Sequence, residues 1–327
     1  MGSPVAFVFP GQGSQNPGMG QFLYDEFQIA RDIFERASDT LNLDIKKLCF
    51  TATPEELALT ENTQPALLTV SVATALVLKE IFNIQPTCTA GHSIGEYSSL
   101  VLGSAFTFET AIQAVRLRGQ SMQSAVPAGQ GGMVATLGLT EDQVEFLCRW
   151  VCENSGYSPL SPANFNCEGQ IVISGNQKAL TWMMDHFKPE ILPGEARRVK
   201  LIPLQVSAPF HCGMMMPAQE KMADFFKSHP LENSTLPIFQ NFTAKPETQA
   251  NVLTHNLIQQ VSGPVKWTQT MLELKKLSCK TIIECGHGTV LKGLFKKSDP
   301  DFFNVFSTRS LEDLKALEGI DNATQSS

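Results

Sequence analysis

Gly91-His92-Ser93-Ile94-Gly95 stands between a short apolar run, 86–90, and a helical pattern. No other feature constrains the fold as much. The strand-to-helix turn of a G-x-S-x-G motif is tight enough that only glycine fits on either side of the serine. It holds the serine in a strained conformation with its hydroxyl raised above the sheet. The helix N-terminus beneath it favours negative charge developing there. The bare pattern arises by chance in roughly one chain in ten of this length. The strand before it and the helix after it are what make Ser93 a candidate nucleophile.

Around this turn, short apolar runs alternate with longer helical patterns. Val5–Phe9 reads as a strand that ends in the loop Pro10-Gly11-Gln12-Gly13-Ser14-Gln15. Thr53-Pro54-Glu55-Glu56 combines a cap residue, proline at the first helical position and glutamate three residues after the cap. Residues 64–82 have the length and Ala/Leu/Val content of a buried helix. Residues 108–125 are amphipathic, with Ala111, Ile112, Val115 and Met122 on one side. Strand, helix, strand in this order predicts a parallel sheet with helices on its faces.

From Gly129 to about Lys200 the pattern changes. Strand 133–137, a helix opened by the capping box Thr140-x-x-Gln143, a strand pair at 158–166 and 170–174, a helix at 178–187 and a strand at 198–204 follow one another. That βαββαβ order is the ferredoxin-like split unit. The expected fold class is therefore α/β: a large α/β-hydrolase-like domain with a parallel sheet, residues 1–128 and 201–327, interrupted by a small ferredoxin-like domain, residues 129–200.

At 327 residues the chain is long enough for this arrangement. Its 43% hydrophobic content argues against disorder, and its net charge of -7 gives no support to binding of nucleic acid or anionic lipid. The longest apolar stretch, 66–78, is too short to span a bilayer. The opening residues show no basic leader or signal-type apolar core. With eight cysteines and no C-x-x-C pair, neither a zinc site nor a disulfide framework is indicated. A cytoplasmic protein with free thiols is expected. Three glycosylation-type sequences, at Asn233, Asn241 and Asn322, are read as chance, and the polar tail 320–327 as frayed.

A serine nucleophile needs a base, and the chain has six histidines. His92 adjoins Ser93 and is badly placed to reach its hydroxyl. His186 and His255 lie on surface helices, and His229 precedes a proline in a polar stretch. His211, in the loop Ser207-Ala208-Pro209-Phe210-His211-Cys212, and His287, in Glu284-Cys285-Gly286-His287-Gly288, remain as candidates, His211 the stronger by position. The Gly11-Gln12-Gly13 loop matches neither nucleotide-binding pattern; it reads as a loop presenting backbone N–H groups beside the nucleophile. Arg116 and Arg118 sit on an otherwise rather apolar helix, and arginine grips a carboxylate by two parallel hydrogen bonds.

Five motifs, Phe9-Pro10-Gly11-Gln12-Gly13-Ser14-Gln15, Gly91-His92-Ser93-Ile94-Gly95-Glu96-Tyr97, Val115-Arg116-Leu117-Arg118-Gly119, Asn164-Phe165-Asn166 with Gly169-Gln170, and Phe210-His211, stand in the order found in the malonyl-CoA:acyl-carrier-protein transacylases of fatty-acid synthesis. The chain resembles that family from about residue 5 to 297. Polyketide-synthase acyltransferases are close relatives of the same family. The resemblance implies Ser93 as the acyl-carrying nucleophile and His211 as general base and acid. It implies a backbone carbonyl of Gln260 in place of a triad carboxylate, the N–H groups of Gln12 and Ile94 as oxyanion hole, and Arg118 as the partner of the malonyl carboxylate. Phe210 resembles the residue of malonyl-selecting members. His287 and Gly263 depart from the family's usual proline and asparagine, which puts in question the loop beneath the site and the placement of Gln260.

The activity so implied is ping-pong malonyl transfer from malonyl-CoA to the phosphopantetheine thiol of an acyl carrier protein, by a monomer without metal or cofactor. A discrete polyketide-pathway acyltransferase and a serine acyl hydrolase are the alternatives. Lys292, Lys296 and Lys297, or Arg197, Arg198 and Lys200, are candidate carrier-docking clusters.

Overall fold

A computed structural model describes residues 4–195, 198–318 and 320. Arg197, the tail from 321 onward and the Asn322 sequence therefore lie outside the described residues.

Val5–Phe9 (β1) is five consecutive apolar residues, buried on both faces. Its side chains divide with the period of two that a strand imposes. Val5, Phe7 and Phe9 enter one hydrophobic core, while Ala6 and Val8 enter a second on the opposite face. That is the signature of a parallel strand covered by helices on both sides. β1 pairs in parallel with Cys88–Gly91 (β2) on one side and Thr281–Glu284 (β9) on the other. Ile238–Phe239 (β7), Pro246–Glu247 (β8) and Asn304–Ser307 (β10) complete a six-stranded sheet of order β10-β9-β1-β2-β7-β8, in which β8 alone runs antiparallel.

The intervening segment forms its own sheet from Gly131–Leu137 (β3), Leu160–Cys167 (β4), Gln170–Asn176 (β5) and Lys200–Pro203 (β6). The order β4-β5-β3-β6, all antiparallel, is the ferredoxin-like arrangement. Its helices are Glu141–Ser155, with the capping box Thr140/Gln143 formed, and Gln177–His186; both pack into a small core with β3, β4 and β5. Edge strand β4 is stitched to the larger unit: Phe165 N–H donates to the Val265 carbonyl at 2.9 Å, and Val265 N–H to Ala163 at 2.8 Å. These two bonds tie the two units together at β4.

Two of the expected helices differ from their reading, and other elements were not read at all. The buried helix starts at Thr60, not at 64, so Pro65 lies inside it. Proline cannot donate to the Glu61 carbonyl four residues back, and the Arg116 guanidinium donates to that oxygen instead at 2.7 Å. Distant Arg116 thus makes a helix start possible where local pattern argued against one. Thr53 caps as read, but its helix, Pro54–Ala58, stops after a single turn. The helices Gln21–Glu26 and Gln28–Leu41, and the two-residue strands β7 and β8, had no reading in the sequence.

Helix Thr60–Glu80 crosses helix Phe108–Ser124 at Gly119. A Cβ there would stand 2.7 Å from both the Glu61 Cα and the Thr60 carbonyl oxygen, which are backbone atoms that cannot swing aside. Gly119→Ala is expected to destabilise by about 1–3 kcal/mol, as overpacking does. Urea unfolding checks it: the midpoint should fall with no change in slope.

No helix among the described residues is long and apolar enough to cross a membrane.

Candidate active site

The elbow has the geometry its glycines require. A Cβ on Gly91 would fall 1.9 Å from the Gly95 carbonyl carbon, and one on Gly95 would fall 2.2 Å from the Phe9 carbonyl oxygen. Ser93 sits between them with φ 52°, left-handed for a residue with a side chain, at a cost of about 1–3 kcal/mol. The strain is held from outside the turn. Asn241 accepts the Ser93 N–H at 2.6 Å and donates to the Gly91 carbonyl at 2.5 Å, while Gln260 Nε2 donates to the Ser93 carbonyl at 3.0 Å.

Ser93 Oγ lies 2.7 Å from His211 Nε2. His211 Nδ1 faces two backbone carbonyls, Gln260 at 2.9 Å and Gly263 at 3.2 Å. With these acceptors Nδ1 carries the proton and Nε2 is the free base. Burial, together with the nearby Arg118 cation, drives the His211 pKa from 6.5 down to about 3. The Gly263 departure is local in its effect. A Cβ there would stand 2.7 Å from the Gln259 carbonyl and 2.9 Å from the Phe242 ring, so this backbone fits glycine and turns its own carbonyl toward His211.

Arg118 is 1% exposed and donates from Nη2 to Ser93 Oγ at 3.1 Å and to Gln260 Oε1 at 3.0 Å, and from Nη1 to Gln64 Oε1 at 3.0 Å. All three partners are neutral. Burial lowers its pKa from the ordinary value, while Tyr97 and the Glu96 carboxylate oppose that shift.

These groups line a cavity of about 120 Å³ together with Gln12, Ile94, Met122, Met133, Asn164 and Phe210. The N–H groups of Gln12 and Ile94 have no acceptor among the described residues. Gln12 is tied down by its side chain, which donates to Thr60 Oγ1 at 3.4 Å. The structure thus brings Ser93, His211, Arg118, Gln260, Gln12 and Ile94 into one place. His287 is not among the lining residues. His92 also lines the cavity, and its Nε2 pairs with Asn166 Oδ1 at 2.9 Å.

The sequence reading missed Gln64, Glu96, Gln240 and Asn241. Glu96 at least stood within the quoted motif. Asn241 had been noticed only as a glycosylation sequence, yet it is 1% exposed and is committed to the elbow.

A serine held above a sheet by a strained elbow, a neutral histidine on it and a buried cation beside it define an acyl-transferring enzyme. The model of the acyl transferase domain matches residues 6–299. The chain belongs to the family of the malonyl CoA-acyl carrier protein transacylases. It is 41% identical over 295 residues to the malonyl CoA-acyl carrier protein transacylase of Bacillus subtilis, covering 90% of either chain. It superposes on FabD from Acinetobacter baumannii with a TM-score of 0.90 at 38% identity, covering 98% of this chain and 99% of that one. It also superposes on a malonyl-transacylase solved in complex with its type II polyketide acyl-carrier protein, with a TM-score of 0.89 at 36% identity over 97% and 99% of the chains.

Proposed function

We propose that this chain transfers malonyl from malonyl-CoA to the phosphopantetheine thiol of an acyl carrier protein, through an ester on Ser93, and so supplies fatty-acid synthesis. The observation that carries the reading is Arg118: a buried guanidinium 3.1 Å from the nucleophile whose hydrogen bonds go to neutral groups. An enzyme for neutral esters has no use for that charge. A substrate that bears a carboxylate one methylene from its reacting carbonyl does.

His211 Nε2 takes the proton of Ser93 Oγ as the oxygen attacks the thioester carbonyl. The Gln12 and Ile94 N–H groups stabilise the oxyanion, each such donor contributing about 3–4 kcal/mol. The C–S bond breaks, His211 returns the proton to the departing coenzyme A thiolate, and malonyl remains on Ser93 with its carboxylate on Arg118. The pantetheine thiol then reverses these steps, giving ping-pong kinetics. Attack by water would divert the ester to free malonate, and the small cavity around Ser93 limits that access. In this scheme residues 129–200 act as a unit inserted between 1–128 and 201–327, supplying Met133 and Asn164 to the cavity. The scheme uses no resident cofactor and takes the enzyme as a cytoplasmic monomer.

Intact-protein mass after brief exposure to malonyl-CoA tests it. A malonyl adduct that clears on adding holo carrier protein is expected. Release of free malonate without carrier would instead make the chain a hydrolase. Because one structural relative serves a polyketide carrier, fatty-acid and polyketide carriers should be compared as acceptors.

The low His211 pKa has a further consequence. The imidazole stays neutral far below 6.5, so the acylation rate constant should remain level down to about pH 5, where an ordinary histidine would already have lost its base form. A stopped-flow pH profile with an acid limb near 6.5 would contradict this. Stability follows the same group. The unfolded chain binds the proton near 6.5 and the folded chain only near 3, so this contribution is present above pH 6.5 and is lost as pH falls between the two values.

A further inference from the structure

Glu96 is completely buried, and its carboxylate takes no part in the steps above. It accepts three N–H groups from two distant segments: Gln240 Nε2 on Oε1 at 3.2 Å, and the Asn241 backbone and Gln260 Nε2 on Oε2, each at 2.9 Å. Gln260 is the member that connects it to the site. Its Nε2 is shared between Glu96 and the Ser93 carbonyl, and its Oε1 accepts from Arg118. Only one amide orientation satisfies all of these. Turned over, the NH₂ would confront the guanidinium and the oxygen would confront a carboxylate and a carbonyl. Gln240 is in turn committed, donating to the Leu253 carbonyl at 3.0 Å and accepting from Asn256 at 2.8 Å, so the carboxylate itself has little freedom to move.

We propose that Glu96 is a positioning residue for acyl selection: by locking the Gln260 amide, it holds the Arg118 guanidinium where the carboxylate of the acyl group must bind. The inference rests on the proposed malonyl transfer. It predicts that altering Glu96 harms transfer of an acyl group that carries a carboxylate more than one that does not. A role in folding alone would harm both alike.

Single-turnover acylation of Ser93, followed by intact mass with malonyl-CoA and with acetyl-CoA, reads the difference. Glu96→Met removes every acceptor oxygen and should lower the malonyl-to-acetyl rate ratio about tenfold or more, since small displacements of a positioned group cost that much. Glu96→Asp keeps the charge but withdraws it by about 1.5 Å, one methylene. It should show the same loss, and it covers the case in which the methionine variant does not fold. Glu96→Gln can place its carbonyl where Oε2 stands and keep the Asn241 and Gln260 contacts, at the loss of the Gln240 contact, where two NH₂ groups then meet; it should retain more of the ratio than the Met or Asp variant. A folded Met or Asp variant with the wild-type ratio overturns the proposal, as does an equal loss for both acyl groups. Wild-type protein is run alongside. If it takes no malonyl, the proposed function has failed; if it prefers malonyl and the variants do too, only the role of Glu96 has.

Discussion

Alanine at Ser93 is expected to abolish the malonyl adduct, and alanine at His211 to slow its formation by about 10²–10⁴-fold, the range a positioned general base supplies. The two losses differ in kind. Without Ser93 Oγ there is no atom to carry the acyl group. Without His211 the hydroxyl remains on its strained elbow beside the Gln12 and Ile94 N–H groups, so slow acylation should persist. The Nε2–Oγ distance of 2.7 Å and the neutral imidazole make His211 the residue through which the proton leaves. Intact mass at increasing times, with His287→Ala as a control, checks the assignment. The His287 variant should acylate at the wild-type rate. If it failed while His211→Ala remained active, the base would have to be reassigned.

Arg118→Ala should lower malonyl acylation by about 100-fold or more, because it leaves a carboxylate desolvated without its partner. Acetyl-CoA brings no carboxylate, and its acylation should gain relative to malonyl. The expected result is therefore a change of preference rather than a dead enzyme. Arg118→Lys makes the test sharper. Lysine keeps the charge, but a single ammonium cannot reproduce the fork that reaches Gln64 from Nη1 and both Ser93 and Gln260 from Nη2. It should recover only part of the malonyl rate. Competition between the two thioesters, read as the ratio of adduct masses, reports the preference directly. An unchanged ratio in Arg118→Ala would remove the observation on which the functional reading rests.

Much of this molecule was legible in the residues because much of its physics is local. The Gly91 side of the elbow follows from contacts with Gly95 and Glu96, within five residues, and the capping box at Thr140 from contacts within three. The alternation of β1 between two cores follows from the period of a strand. The candidate site residues were legible for a different reason: their motifs resemble a family, and position alone left His211 and His287 open.

The rest depended on contacts that no local pattern encodes. His211 meets Ser93 across 118 residues of chain, and Gln260 meets Glu96 across 164. Helix Thr60–Glu80 tolerates Pro65 because Arg116, on another helix, occupies the Glu61 carbonyl. The sequence by itself determined the layered α/β design, the βαββαβ segment and a serine poised above a sheet, since steric exclusion and hydrophobic periodicity act between near neighbours. The resemblance, not any local pattern, named His211 and the Gln260 carbonyl; only the tertiary structure added the Gly263 carbonyl on His211 and the buried Glu96 carboxylate on Gln260 and Asn241. Those are choices among polar partners, and burial removes water as the alternative partner only once the distant segments have packed together.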